Sequence, residues 1–376
     1  MLIQIHILQN YAPSNLNRDD TGSPKDAVFG GVRRGRISSQ CLKRAIRRST
    51  VFADAFGGDG LLASRTKRLP GLIGAELERL GASPEEVQGI AARVPEIGRE
   101  SGRGQPSAAE DTDTLETKQL IFVAPNEVGP LAEALLAQHR AAGARWAKTK
   151  IEEITKALSP VTPRSVDVAM FGRMTTSAAF EDVQAAVQVA HALSTNALAQ
   201  EFDYYTAVDD LSGESGAGMI GDVEYNSCTY YKYMNVHWEG LVDNLGGDRA
   251  VACRAMLALL EAAAKAQPSG KQNSFAAQNL PDYILAEVRE ENLPVSYANA
   301  FLKPVRPGPN GDPTLMERSI VALEEYAART RARYGLESDR RAALCVPDLA
   351  PADGTPLEPT LRGLASWLAG HLPVEG

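Results

Sequence analysis

The segment Gly30 to Ser49, GGVRRGRISSQCLKRAIRRS, carries seven basic residues, Arg33, Arg34, Arg36, Lys43, Arg44, Arg47 and Arg48, and no acid. Cations packed this closely bind phosphates, and each phosphate they neutralise releases condensed counterions. The whole chain, by contrast, has a formal net charge of -8. Residues 1–50 hold nine Lys/Arg, the seven above with Arg18 and Lys25, against Asp19, Asp20 and Asp26, so they sum to +6 and the other 326 residues to -14. Polyanion binding follows local charge more than the total. A basic groove on an acidic body would hold a nucleic acid on one face and repel it elsewhere. The plain alternative is a solvated helix, but long like-charge runs are more often interaction surfaces.

Other chemistry is thin. The pairs Asp19–Asp20 and Asp209–Asp210 could attract Mg²⁺, which then requires further carboxylates or a substrate phosphate. Aspartates also recur in turns for their own hydrogen bonds, and that is the better-supported use of both pairs. The five histidines, His6, His139, His191, His237 and His371, show no ligand spacing, and His191, among apolar neighbours on an expected helix, reads as a packing residue. The four cysteines, Cys41, Cys228, Cys253 and Cys345, form no CxxC, which argues against a thiolate zinc site and suits a reducing cytoplasm. There is no P-loop, no helix-opening GxGxxG, no HExxH and no GxSxG. No cofactor or metal is expected. Neither a membrane-spanning run nor a signal peptide is legible, so a cytoplasmic protein is expected.

The elements that must position the cations follow from periodicity. LIQIHILQ alternates, with Ile3, Ile5 and Ile7 on one face, and predicts a strand. The polar stretch Tyr11 to Gly35 reads as a long loop. Ser38 and Ser39 offer an N-cap for a helix from about Gln40 to Phe52. On that helix Lys43 and Arg47, and Arg44 and Arg48, are i,i+4 pairs that repel one another unless a polyanion neutralises them. From about 59 to 159 the pattern is helical, with a capping box at Ser83 and Glu86. A strand is expected over 164–174 and a helix over about 180–196. Residues 203–227 read as a projecting hairpin with a Gly/Ser-rich middle, offering Tyr204, Tyr205, Val208, Met219 and Ile220 as wedges that unstack bases. Tyr225, Tyr230, Tyr231 and Tyr233 read as core. A strand over 228–238, a helix over 248–266, a strand over 282–288 and a helix over about 313–334 complete the pattern. Without the insertion, the short helix and the hairpin, the order is β, α, β, β, α, β. The expected fold class is therefore α+β, ferredoxin-like or RNA-recognition-motif-like, with one sheet face left free for a ligand.

Residues 12–49, APSNLNRDDTGSPKDAVFGGVRRGRISSQCLKRAIRRS, closely resemble the start of the CasC-type backbone subunit of the type I-E CRISPR surveillance complex, Cascade. FGRMTTS (171–177), VAHALSTN (189–196), YYTAVDDL (204–211) and SYANAF (296–301) extend the resemblance in order along most of the chain. The resemblance implies a right-hand shape: a palm in three parts (1–58, 161–202 and 228–376), a helical finger insertion (59–160) and a thumb hairpin (203–227). It implies several copies of the protein polymerising along one crRNA and binding its phosphates without sequence specificity. Partners would be the target DNA strand of the R-loop, the other Cascade subunits and a recruited helicase-nuclease, with no membrane. By motif, Arg18, Lys25, Ser38 to Gln40, Lys43, Arg44 and Arg47 would hold guide phosphates. Met174 would pack against guide bases, and Tyr204, Tyr205, Val208 and Ile220 would form the thumb's apolar contact. Two functions follow: a non-catalytic scaffold, in which base pairing supplies specificity and protein supplies shape, or a metal-dependent ribonuclease using Asp19/Asp20 or Asp209/Asp210. The second has an analogy in type III backbone subunits, which cut RNA through a loop aspartate, but neither pair here has a supporting cluster.

Overall fold

A computed structural model of the chain describes residues 1–97, 115–117, 119–158, 160–175, 177, 179–208, 217–336, 339–351 and 354–373. The alternating N-terminal segment is strand β1 (Leu2–Ser14). The stretch expected as a loop holds two strands, β2 (Asp26–Phe29) and β3 (Val32–Ile37), paired antiparallel around Gly30–Gly31. Both glycines have positive φ (60° and 77°), which a two-residue hairpin turn demands. A Cβ on Gly30 would also stand 2.0 Å from the Leu302 carbonyl oxygen, so only glycine fits there.

Helix α1 (Ser39–Arg47) starts where the serines predict, with Ser38 Oγ accepting the Cys41 N–H at 3.3 Å. It stops earlier than expected, and α2 (Thr50–Phe56) follows as a separate helix. Ser49 makes the break: its hydroxyl donates back to the Ile46 carbonyl at 2.7 Å and accepts the Phe52 N–H at 3.3 Å.

The next elements are β4 (Ser64–Thr66), α3 (Leu69–Arg79), α4 (Pro84–Ala91), α5 (Val94–Ile97), β5 (Ile121–Val123), α6 (Pro125–Ala142), α7 (Ile151–Lys156) and α8 (Val166–Phe171). They are chiefly helical, as expected, and the Ser83–Glu86 capping box is present. Helix α8 replaces the strand expected over 164–174. It is buried on every side, including Asp167, whose Oδ1 accepts the Ala63 N–H at 2.9 Å, and a short segment buried all round has no periodicity to betray it. The helix expected over 180–196 is likewise absent. Its place is taken by the short strands β6 (Val187–Val189) and β7 (Ala192–Ser194). The alanine-rich composition of QAAVQVAHAL favours helix, and pairing with the sheet overrides it.

Strands β8 (Glu201–Val208) and β9 (Ala217–His237) form the expected hairpin, and β9 continues unbroken as the aromatic strand. Helices α9 (Trp238–Asn244), α10 (Arg249–Lys265) and α11 (Gln272–Phe275), strand β10 (Tyr283–Arg289), helix α12 (Leu315–Tyr334), strand β11 (Arg340–Cys345) and helix α13 (Leu361–Ala369) complete the chain.

The chain divides into two units. One comprises Met1–Phe52, Val187–Trp238 and Cys253–Gly376, the other Ala53–Ala186 and Glu239–Ala252. The first is built on a sheet ordered β11-β10-β1-β9-β7-β3-β2, in which every strand pair is antiparallel. Strand β1 lies between β10 and β9, and both of its faces are buried. The face expected to be free is roofed: Leu8, Tyr231, Tyr233, Tyr283 and Leu285 pack with Tyr297, Phe301 and the apolar side of α12. Its polar groups pair with one another. Glu287 accepts from Tyr297 Oη at 3.0 Å and from Gln4 Nε2 at 3.2 Å, and pairs with Arg341 at 2.9 Å. Tyr230, Tyr231 and Tyr233 are core, as expected, and the sheet offers no open aromatic platform there. Tyr225 is not: it is half-buried, with its ring 5.7 Å from that of Phe275 and its hydroxyl donating to Glu201 at 2.9 Å, because it belongs to the hairpin paired with β8. The second unit packs α3 to α7 around Leu69, Ile73, Leu77, Ile90, Leu135 and Trp146.

Candidate nucleic-acid interface

The seven cations of the basic segment divide into three kinds. Arg34 is fully buried, and its guanidinium donates to the carbonyls of Ser194 (3.0 Å), Thr195 (2.8 Å) and Phe301 (2.7 Å). It ties β3 to the end of β7 and to the segment around Phe301. Arg33 pairs with Asp26, and Arg36 donates to the Asp26 carbonyl at 3.0 Å. The remaining four lie on α1 and at its C-cap.

On α1, Leu42 and Ile46 are buried and fix which side faces out. At 100° per residue, Lys43 and Arg47 fall on one flank and Arg44 and Arg48 on the next. Arg44 and Arg48 are exposed, while Lys43 and Arg47 are half-buried along their stems. Burial pushes the Lys43 ammonium below its ordinary pKa. No acid stands on the helix. Ser38 is 6% exposed, and its hydroxyl is engaged in capping, so its part is to hold the helix start; Gln40 is exposed on the first turn.

The loop before β2 is closed by its own polar groups. Asp19 accepts from the Thr21 N–H (2.9 Å), the Thr21 hydroxyl (2.8 Å) and the Ser23 N–H (3.0 Å), which hold its carboxyl below the usual range, the Thr21 hydroxyl foremost. That is the turn use of aspartate. Asp20 is exposed, and Asp209 and Asp210 lie outside the described residues. Among the described residues no group of three or more His, Cys, Asp or Glu could hold a metal ion. Arg18 bridges to Pro24 and is exposed; Lys25 donates its N–H to the Asn17 carbonyl at 2.8 Å.

One residue of this surface escapes the sequence. His191, placed by composition on a helix, stands in the irregular step between β6 and β7, which run on in the same direction along β9, and accepts the Ser39 N–H at Nδ1 (3.3 Å), with Arg36 Nη1 at 3.4 Å. Burial, then the charges of Arg36 and Lys25, push its pKa down. Lys25, Arg36 and His191 therefore meet at the first turn of α1. Only the pairing of β6 and β7 with β9, and of β7 with β3, brings His191 there, and nothing local in VQVAHALS signals it.

The hairpin's register sorts the expected wedges onto two faces. Tyr204 is opposite Asp222 and Thr206 opposite Ile220, so Tyr204 and Ile220 share one face with Phe202, which the sequence reading omitted. Phe202, Tyr204 and Ile220 are 61%, 66% and 62% exposed. Tyr205 and Met219 occupy the other face. The Tyr205 ring lies over Gly221, where a Cβ would stand 2.6 Å from it. Val208 ends β8, and its side chain lies outside the described residues. The hairpin's root is acidic: Glu201, Asp203, Asp222 and Glu224 stand on its paired stretches, 201–208 and 217–225, without a base there.

Met174 belongs to the second unit and is 93% exposed. Its neighbour Arg173 is buried and pinned to Glu127 by two bonds of 2.7 and 2.8 Å, so the methionine projects from a fixed base.

Comparison with known proteins finds chains of the same fold. One solved chain, from a "CRISPR RNA-guided surveillance complex, pre-nicking", is 30% identical, with a TM-score of 0.81 over 98% of this chain and 99% of that one. Another, from a "CRISPR RNA-guided surveillance complex", is 27% identical, with a TM-score of 0.72 over the same shares. No curated protein matches. The sequence profile of the family described as CT1975-like protein matches residues 3–367. With nearly its whole length matched, and with the CasC-type resemblance of its sequence borne out by those structures, the chain belongs to the CT1975-like protein family.

Proposed function

We propose that this protein is the backbone subunit of a type I-E, Cascade-type CRISPR surveillance complex. It polymerises along crRNA, grips the guide's phosphates without reading its bases, and presents the spacer to the target DNA strand. The observation that carries the reading is α1: cations on its two outward flanks, no acid, and Leu42 and Ile46 locking its orientation. Phosphate contacts position a strand and carry no sequence information, which is what a guide of arbitrary sequence requires. The strand order β10-β1-β9-β7, with α1 following β1 and α10 following β9, supports a ferredoxin-like palm. The exposed apolar face of the hairpin supports a thumb that displaces bases. The consumed carboxylate of Asp19 supports a scaffold over a nuclease, with DNA cleavage left to a recruited helicase-nuclease. Copies of the chain, the sister subunits and the cytoplasm complete this reading.

The test is salt dependence. Lys43→Ala with Arg47→Ala should weaken single-stranded RNA binding equally for unrelated sequences, and reduce the slope of log K against log salt by roughly 0.7 per lost phosphate contact. A loss confined to particular sequences would mean that these residues read bases, and the scaffold reading would fail.

A further inference from the structure

The hairpin of β8 and β9 leaves the body of the first unit at a definite point. The last pair of β1 with β9 is Ser14 with Asn226, and on the other strand residues 201–207 are all exposed. Where the backbone pairing stops, a side chain takes over. Asn15, the residue after β1, is fully buried, and its Nδ2 donates twice. One bond, of 2.9 Å, goes to the Glu224 carbonyl in the hairpin's root. The other, also of 2.9 Å, goes to the Gly22 carbonyl in the loop that carries Arg18 and Lys25. A single amide therefore fastens the hairpin to the cationic loop.

The loop is fastened in turn to the basic helix. Asn17 accepts the Ser38 N–H at Oδ1 (2.8 Å) and the Lys25 N–H at its carbonyl (2.8 Å), and Ser38 is the N-cap of α1. Between these points the loop is a closed turn, because Asp19 draws the Thr21 and Ser23 N–H groups onto its carboxylate. Gly22, whose carbonyl Asn15 holds, has a φ of 92°, a conformation natural only to glycine. Two asparagines thus make a hydrogen-bonded line from the hairpin's root, through the loop, to the start of α1. Order gained at one end of such a line lowers the entropy cost of order at the other.

We propose that Asn15 and Asn17 are positioning residues that couple the grip on the RNA to the hairpin. A strand whose phosphates pin Arg18 and Lys25 fixes the loop, the loop fixes Asn15, and Asn15 sets the root at Glu224. Glu224 is opposite Phe202, and the pairing runs on from there to Thr206 with Ile220, so the face of Tyr204 and Ile220 is aimed by its root. The inference rests on the guide-binding reading and adds to it a link that neither the cations nor the apolar face supplies alone. The coupling is reciprocal: engagement of the hairpin tightens the hold on the guide by the same factor.

The experiment follows hydrogen exchange of the 221–225 and 39–47 amides with and without bound single-stranded RNA. The parent protein for it is Tyr204→Ala/Ile220→Ala, so that bases touching the hairpin's face do not themselves slow its root. In that parent, bound RNA should slow the 221–225 amides about fivefold or more, the low end of ordinary coupling between sites. Asn15→Ala should abolish this slowing while 39–47 stays protected. Asn17→Ala, at a half-buried position, cuts the line at its other end and should do the same, which keeps the test sound if Asn15→Ala fails to fold. If RNA still slows the root by the parent's factor in these variants, whatever the absolute rates, the asparagines are structural bonds only and the proposal fails, with the guide reading left standing. A root that RNA does not slow in the parent also overturns it. If bound RNA leaves 39–47 unprotected, the guide reading itself falls.

Discussion

Lys232 shows how far a residue's environment can depart from what its neighbours suggest. It sits in the aromatic run YYKYM, yet it faces the opposite side of the sheet from Tyr231 and Tyr233, beside Ile7. Its ammonium is fully buried, donates to Gln9 Oε1 and to Tyr11 Oη (3.1 Å), and lies 5.4 Å from the Tyr11 ring centroid. Burial pulls its pKa down to about 7, against a smaller upward effect of the Cys41 thiol. In the unfolded chain a lysine titrates near 10.4. Between about 7 and 10.4 the unfolded state therefore holds one more proton, so this residue makes stability rise with pH across that window, by about 1.4 kcal/mol per pH unit, and level off below it. Lys232→Met should be more stable than the parent at pH 7. The gain in stability from pH 7 to pH 9 should be smaller in the variant by about 2 kcal/mol, since the folded amine is already half deprotonated at pH 7. Urea midpoints and slopes at the two pH values would measure this; an identical pH dependence in both proteins would mean that the amine reaches water. Arg34 makes the complementary case. It reads as one more phosphate-binding cation, yet Arg34→Met should cost about 3 kcal/mol or more by stranding carbonyls of buried loops. Thermal unfolding checks this, and a near-neutral effect would return Arg34 to the surface set.

At the scale of elements, what periodicity could reveal depended on how many faces are buried. Strand β1, the Ser38 cap, the hairpin, α10, β10 and α12 are legible, because each has a regular period or a specific end signal. Helix α8 and strands β6 and β7 are not: the first is buried all round, and the others are three residues long in alanine-rich sequence. The covered face of the sheet is illegible for another reason, since α12 comes from more than 75 residues beyond Tyr231 and Tyr233. For the candidate site, the basic helix was plain in the sequence, but His191 and the division of the hairpin into two faces needed the register. That register predicts coupling. Tyr204→Ala and Ile220→Ala should be non-additive in target DNA binding, by about 0.5 kcal/mol or more, since both remove parts of one face. Tyr205→Ala should add to either. A double-mutant cycle on the guide-loaded complex reads this directly, and full additivity of Tyr204 with Ile220 would mean that the face does not act as one contact.

For the whole molecule, the distribution of charge argues for assembly on a strand over capture of a duplex. A net charge of -8 with +6 in its first fifty residues leaves most of the surface unfavourable to phosphate. The acidic root of the hairpin carries that repulsion up to the apolar face of Tyr204 and Ile220. A single strand laid along α1 is neutralised locally, and a target strand would be held through its pairing with the guide's bases, since the acidic remainder gives its phosphates no grip. Further copies can then add beside the first only where bare RNA remains, so occupancy should count length. Native mass spectrometry with single-stranded RNAs of increasing length should show copies per RNA rising in even steps, whatever the base sequence. One copy at every length would mean a discrete site and no filament. Binding that depends on sequence would contradict a grip made of phosphates. Absence of binding by the isolated chain, followed by the same ladder from the co-expressed complex, would place the nucleating step in a sister subunit and keep the repeating one here.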